Sequence, residues 1–454
     1  MDLLKTQGKL EILMTDTVSV QVRRDVIAAL SKWAPKQRWF RAKDTAFEIT
    51  EQAWRIVAGD LEEAIVVEAI LLVQLAGGEQ QALNVPVVLR RHSVSGVSEI
   101  TQVGSGPDSW FLYDALISPE YWTYWLQNCE HTEFADRTTA PDFSDAKVIT
   151  GEQSNSSVVF PHLYGGGILK ILRVLEPGDN PDFSVPLEIA RTDWSGVPKP
   201  YAFALLQGPL FPDSNEPVFT SVLSEFIFDA ADGFELACQW AGLGRDFSAV
   251  AQRLGTVIAE LHLSLHSIFV TQNAEQDLTW LQTQLRQRLE QNATQSNQLT
   301  EIRPELDAFI TLAIENLRAS GLPGIPIQRI HGDLHLGQVL YRKDRGWIVL
   351  DFEGEPMRPL AQRLAPDLVQ RDIAGILRSF DYAAAIGKAT DPKWQQDARN
   401  AFLEAYRAVN PEPINTLVDL LEIDKAGYEV VYEELNRPDW ITVPLNAIKN
   451  TLTS

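Results

Sequence analysis

The chain has 454 residues, of which 45% are hydrophobic and 22% charged, and a formal net charge of −22. That length allows two or three domains with full cores, and the lack of a basic surplus disfavours binding to nucleic acid or to an anionic membrane. Cys129 and Cys238 are too few for a disulfide framework, and no apolar run reaches the ~20 residues of a membrane span, so a cytoplasmic protein is expected.

In chain order, residues 1–30 predict a strand or tail followed by a helix with a face of Val22, Ile27, Ala28 and Leu30. Trp33–Lys43 packs three aromatics and four cations into eleven residues, a pattern open to a nucleotide or sugar but more often a helix end packed on a sheet. Phe47–Ile56, Glu63–Leu75, Ala82–Arg91 and Ser98–Val103 read as strands separated by Gly-containing turns, so a small sheet carrying one helix is expected over 1–105. The aromatic-rich 109–127 predicts one or two helices, and the polar 128–145 a linker.

A strand at Lys147–Thr150 and another at Val158–Phe160 flank Gly151-Glu-Gln-Ser-Asn-Ser-Ser157. A loop of this kind lays backbone N–H groups over phosphates, which makes Ser154, Asn155 and Ser156 candidate nucleotide contacts, though any hairpin turn would look similar. Lys170 lies mid-strand in Ile168–Leu172, where an ammonium is costly unless it meets an anion or faces water. Asn180-Pro-Asp opens a helix with Glu188 two turns in, either a partner for that lysine or ordinary surface charge. Tyr201–Leu206 and Val218–Phe228 are later strands and put Glu225-Phe-Ile at a candidate hinge for adenine.

From 231 to 454 the chain reads as helical. Phe247, Val250, Leu254, Val257, Ile258, Leu261 and Leu265 form a helix stripe, with His262 and His266 beside it as core or capping residues. Residues 271–300 are polar and predict a long exposed helix or a mobile segment.

Residues 331–356 carry the chemistry. They read as loop, strand, turn, strand and acidic loop, which gathers Asp333, Gln338, Asp351 and Glu353 as oxygen ligands suited to Mg²⁺. A zinc hydrolase using His331, Asp333 and His335 is the competing reading, weakened by the absence of a fourth ligand nearby. Beyond them, Glu429, Tyr432 and Glu433 share one helical face, followed by Arg437 and Trp440, a set fit for a sugar or simply a solvated acidic helix.

The spacing of Asp333, Gln338 and Asp351-Phe352 resembles the protein-kinase catalytic loop, with Gln in place of Asn and Glu353 in place of Gly, both better suited to small-molecule kinases. More specifically, Gln37–Phe40, Asn84–Val87, Gln153–Ser156, Lys170, Asp232-Gly233, His331–Gln338, Asp351–Pro356, Arg371–Tyr382 and Tyr428–Trp440 resemble the actinobacterial maltokinases of the aminoglycoside-phosphotransferase-like superfamily; glucosamine kinases look similar. Phe40, where Tyr is common, and Tyr341 depart from the pattern without touching the catalytic set.

The resemblance implies an α+β, protein-kinase-like bilobal fold. Its parts would be an N-terminal cystatin-like cap (1–105), an intermediate nucleotide-binding lobe (106–230) and a helical C-terminal lobe (231–454). It implies ATP and Mg²⁺ as cofactors, maltose 1-phosphate as product, and trehalose synthase as partner, with a kinase-shaped scaffold for that enzyme as the alternative of another class. In this scheme Asp333 is catalytic, Lys170, Glu188, Ser154, Asn155, Ser156 and Glu225 hold the nucleotide, and Gln338, Asp351 and Glu353 hold the metal. His335, Glu429, Tyr432, Glu433, Arg437 and Trp440 would meet the sugar.

Overall fold

The computed structural model describes residues 18–40, 46–149, 155–206, 210–211, 214–322, 324–355, 363–411 and 415–453. The fold is α+β and protein-kinase-like, and the chain divides into two compact units.

The first unit comprises Met1–Asp179 and Lys199–Phe226. Ser19 caps helix α1 (Val20–Trp33) by accepting from the Val22 amide. Strands β1 (Phe47–Asp60), β2 (Ala64–Leu75), β3 (Gln80–Asn84), β4 (Val87–Arg90), β5 (Thr101–Val103), β6 (Trp110–Asp114) and β11 (Val174–Leu175) form an antiparallel sheet. Its order is β11-β3-β2-β4-β6-β5, with β1 also paired to β2.

Strand alternation explains the packing. Ile65, Val67, Ala69 and Leu71 of β2 point to one face, where Val22, Val26 and Leu30 of α1 cover them. Val66 and Ile70 point to the other face and join further cores, so β2 is buried on both sides.

A strand, not a helix, begins the aromatic stretch at 110. Trp110 and Leu112 pack beside α1 while Tyr113 alternates away, and the run pairs with β4 and β5. The expected helix follows as α2 (Pro119–Asn128). The expected linker contributes β7 (Glu130–His131), which pairs with β12 (Pro200–Leu205). A second sheet results, in the order β7-β12-β13-β10-β9-β8, where β8 is Lys147–Ile149, β9 Ser156–Phe160, β10 Gly167–Ile171 and β13 Phe219–Glu225.

The second unit comprises Asn180–Pro198 and Ile227–Ser454. It holds α3 (Pro181–Ala190), β14 (Ala231–Asp232), α4 (Gly233–Gly242) and α5 (Ser248–Ile268). The polar 271–300 does contain a long helix with mostly exposed or half-buried residues, but it is not one helix throughout. Strand β15 (Ala274–Gln276) precedes α6 (Leu278–Ala293), which buries Leu278, Leu281 and Leu285, and α7 (Asn297–Ala319) begins within it. Three leucines on one face suffice to hold α6 in the core although its average composition is polar.

Next come β16 (Ile325–Ile327), β17 (Val339–Arg342), β18 (Gly346–Val349), α8 (Val369–Ile386) and α9 (Trp394–Val409). Helix α10 (Asn415–Asn436) ends in a 3₁₀ turn at Pro438–Trp440, and α11 (Thr442–Thr453) closes the described chain. Strands β14, β17 and β18 form a small sheet whose Val339, Trp347 and Val349 enter the same core as Leu254 and Ile258 of α5 and Ile376 and Phe380 of α8. The loop His331–Gln338 is thereby fixed between α8 and the hairpin.

Candidate functional site

The loop at 331–338 is held from below by one buried carboxylate. Asp372, in the first turn of α8, accepts from the His331 amide (2.8 Å, Oδ2) and the Gly332 amide (2.9 Å, Oδ1). His262 Nε2 of α5 also meets Asp372 Oδ2 at 3.1 Å, and His262 Nδ1 lies 2.7 Å from the Tyr406 hydroxyl. Burial alone would push the Asp372 carboxyl up, but the hydrogen bond and charge of His262 hold it below the usual carboxylate range.

Two glycines make the loop possible. Gly332 sits at φ +90°, and a Cβ on Gly375 would collide with the Leu334 carbonyl, so the small residue lets α8 reach the loop. Leu334 and Leu336 are buried in the core on either side of His335.

His331 is a strut and not a metal ligand. Its Nε2–H donates to the Leu350 carbonyl (2.7 Å), and its Nδ1 accepts from the Asp333 amide (3.3 Å), so both ring nitrogens are used. The ring also packs on Phe352 at 4.8 Å. This argues against the zinc alternative. Among the described residues there is also no group of three or more His, Cys, Asp and Glu side chains arranged for a metal.

The upper side of the loop presents the candidate chemical groups. Asp333 Oδ1 is 3.1 Å from Lys425 Nζ, and the same ammonium is 3.1 Å from Glu355 Oε1. Burial would strip Lys425 of its proton, but Asp333, Glu355 and Glu429 outweigh it and raise its affinity for the proton well above normal. Across the hairpin, Gln338 Nε2 donates to Asp351 Oδ2 at 3.0 Å, and the Leu350 amide donates to the Gln338 carbonyl at 2.9 Å.

Asp351 adopts φ +59°, a left-handed conformation rare for a residue other than glycine, and such strain concentrates at functional sites. With its amide nitrogen turned to Asp351, Gln338 keeps Oε1 as an acceptor, so the pair has the hard oxygen donors that Mg²⁺ takes. Glu353 is half-buried, and its carbonyl accepts from Arg363 (3.2 Å). His335 caps the following turn through Nδ1, which accepts from the Gly337 amide, and burial pushes the imidazole below its ordinary range.

Helix α10 bears Glu429, Tyr432 and Glu433 of the candidate sugar residues, Arg437 and Trp440 follow at its end, and each has a protein partner. Glu429 accepts a two-pronged hydrogen bond from Arg378 at 2.8 and 2.9 Å, and burial pushes its carboxyl up. Glu433 is buried and takes both prongs of Arg437 (2.9 Å each) and the Tyr382 hydroxyl (3.1 Å). Arg437 in turn lies 4.3 Å over the Trp440 ring and 5.1 Å over Tyr432, which is exposed.

The nucleotide candidates divide between the two units. In the first, Lys170 is half-buried at mid-strand in β10, opposite Ser157 of β9 and Val222 of β13. Ser156 Oγ accepts from the fully buried Arg173 (2.9 Å), Asn155 is half-buried at a bend, and Ser154 falls outside the described residues. Glu225 caps the Lys199 amide through Oε2 (3.1 Å). In the second unit, Glu188 of α3 pairs with Arg191 one turn on, at 2.7 Å.

The sequence reading passed over Asp372, Lys425, Glu355 and Arg378. Lys425 carried the most accessible signal, since it stands three and four residues before Tyr428 and Glu429 and so shares their helical face.

Parts of the chain are similar to known proteins. Residues 33–117 match the maltokinase N-terminal cap domain, and residues 239–411 match the phosphotransferase enzyme family. A glucosamine kinase of Mycolicibacterium smegmatis is 28% identical over 326 residues, spanning 65% of this chain and 77% of that protein. One from Streptacidiphilus jiangxiensis is 24% identical over 345 residues, spanning 66% and 74%. Among solved structures, a glucosamine kinase in complex with glucosamine, ADP and inorganic phosphate aligns over 92% of this chain and 98% of its own, at TM-score 0.62 and 18% identity. A second glucosamine kinase crystal form aligns over 94% and 99%, at TM-score 0.66 and 18% identity. The chain thus combines a segment similar to the maltokinase N-terminal cap with a segment similar to the phosphotransferase enzyme family, and both matches support the resemblance to maltokinase-like phosphotransferases.

Proposed function

We propose that this protein is an ATP-dependent sugar kinase and that its acceptor is the anomeric hydroxyl of maltose. The observation that carries the kinase reading is the locked loop: Asp333 is held over the Asp372 anchor, on the same hairpin as the Gln338–Asp351 pair. Asp333 takes the proton of the acceptor hydroxyl as its oxygen bonds to the γ-phosphorus and the bond to the β–γ bridging oxygen breaks, releasing ADP. By the family resemblance, Lys170, Ser154, Asn155, Ser156, Glu188 and Glu225 would be the residues that serve the nucleotide. Gln338 and Asp351, with Glu353, would hold Mg²⁺, which when bound neutralises phosphate charge.

Two observations support a neutral sugar. The cap domain matches that of maltokinases. In addition, the carboxylates near Asp333 are already neutralised from within: Asp424 by Arg288 and Arg371, Glu429 by Arg378, Glu433 by Arg437, and Glu355 by Lys425. An amino sugar would bring a cation into a site already supplied with them. Glucosamine is the second reading, because the curated relatives carry that name.

The test is ADP release with maltose, glucose and glucosamine in parallel, followed by ³¹P NMR to locate the phosphate. An anomeric phosphate on maltose supports the proposal. Preferred turnover of glucosamine would replace it with the second reading, and no turnover of any sugar would favour a scaffold of trehalose synthase.

A further inference from the structure

We propose that Lys425 is a positioning residue for phosphoryl transfer, its ammonium clamped between Asp333 and Glu355 so that one Asp333 oxygen is tied and the other is left to the acceptor hydroxyl. The inference rests on the reading of Asp333 as the group that receives the hydroxyl proton.

The clamp is built from three separated parts of the chain. Lys425 reaches from α10, 92 residues beyond Asp333, to place Nζ 3.1 Å from both carboxylates. Glu355 is 3% exposed, and its second oxygen faces Arg288 at 3.9 Å, so it is itself anchored. The Tyr428 ring lies 5.2 Å from the ammonium.

Desolvating a lysine is expensive unless its neighbours compensate. Here the compensation comes from the carboxylate the chemistry uses. The charged and titratable groups facing this centre are His331, His335 and Asp351 on the loop and hairpin, Glu355, Glu429 and Tyr428 around the lysine, and Arg288 behind Glu355. Lys425 is the cation bonded directly to Asp333. It therefore fixes the rotamer of the base, and it is unchanged by the transfer itself.

Lys425→Met and Lys425→Arg test this on the full chain, with the sugar the panel identifies. A mispositioned base costs on the order of 10²-fold in kcat, with the KM for ATP unchanged. Lys425→Arg keeps the cation and should restore most of the lost kcat, which restored packing alone would not do. A purely structural lysine would lower stability and leave the kcat of the folded protein unchanged, which overturns the proposal.

Should Lys425→Met fail to fold, Glu355→Gln serves instead. It leaves the ammonium held by Asp333 alone, so kcat should fall with the KM for ATP unchanged; an unchanged kcat refutes the clamp. The ¹³C-carboxylate NMR resonance of Asp333, assigned with Asp333→Asn, should move on Glu355→Gln and on Lys425→Arg without any sugar. If the parent protein phosphorylates no sugar, the proposed function fails, while this resonance still decides whether the clamp holds Asp333, an unmoved resonance refuting it.

Discussion

Replacing Asp372 with Asn keeps the shape of the side chain and removes its charge. The carboxylate accepts three hydrogen bonds, from the amides of His331 and Gly332 and from His262. An amide offers one oxygen, so its NH₂ must face at least one donor inside a fully buried site. One charge-assisted bond is lost, worth about 1.5–3 kcal/mol, and a buried donor is left unmet at about 1–3 kcal/mol. The expected destabilisation is about 3–5 kcal/mol, a large share of a typical domain's stability of about 5–15 kcal/mol.

Urea unfolding at pH 7 gives the stability difference, and turnover measured in parallel should fall because the loop loses its footing. The pH dependence sharpens the test. The folded carboxyl lies below its unfolded value of about 3.9, so its stabilisation is complete above that value and lost as pH falls through the folded one. The parent should therefore lose this contribution in acid, while the Asn variant should show no such component. A stability change under about 1 kcal/mol, or an identical acid profile, would refute the claim that Asp372 holds the loop.

Asp333→Asn should lower kcat by about 10²–10⁴-fold while nucleotide binding, read by isothermal titration, stays close to the parent; a variant of undiminished turnover would remove Asp333 from the base role. Gln338→Ala deletes an oxygen donor and the bond to Asp351, so the Mg²⁺ concentration for half-maximal rate should rise about tenfold or more, whereas an unchanged Mg²⁺ titration would count against that placement. Trp440→Ala removes the ring under Arg437 and should raise the sugar KM well above any change for ATP; equal changes in both would argue that Trp440 lies outside the sugar pocket.

Periodicity made most of the elements legible from the residues alone. The stripe from Phe247 to Leu265 is α5, the alternating run near 47–56 is β1, and the apolar run near 63–75, bounded by turns and buried on both faces, is β2. The region at 110 was less readable. Trp110 to Asp114 have no strong local preference, and the strand exists because β4 and β5 lie beside it.

The candidate catalytic loop was legible from motif spacing, since Asp333, Gln338 and Asp351 lie within one short loop and hairpin. Its supports were not. Asp372 sits 39 residues beyond Asp333 and Lys425 92 beyond it, and only packing of α8 and α10 brings both to the loop. Glu429 and Glu433 show the same limit: their helical spacing is evident in the chain, yet Arg378 and Tyr382 arrive from another helix. Local spacing states which groups share a turn or a face, and a folded core alone determines which distant charge stands against each of them.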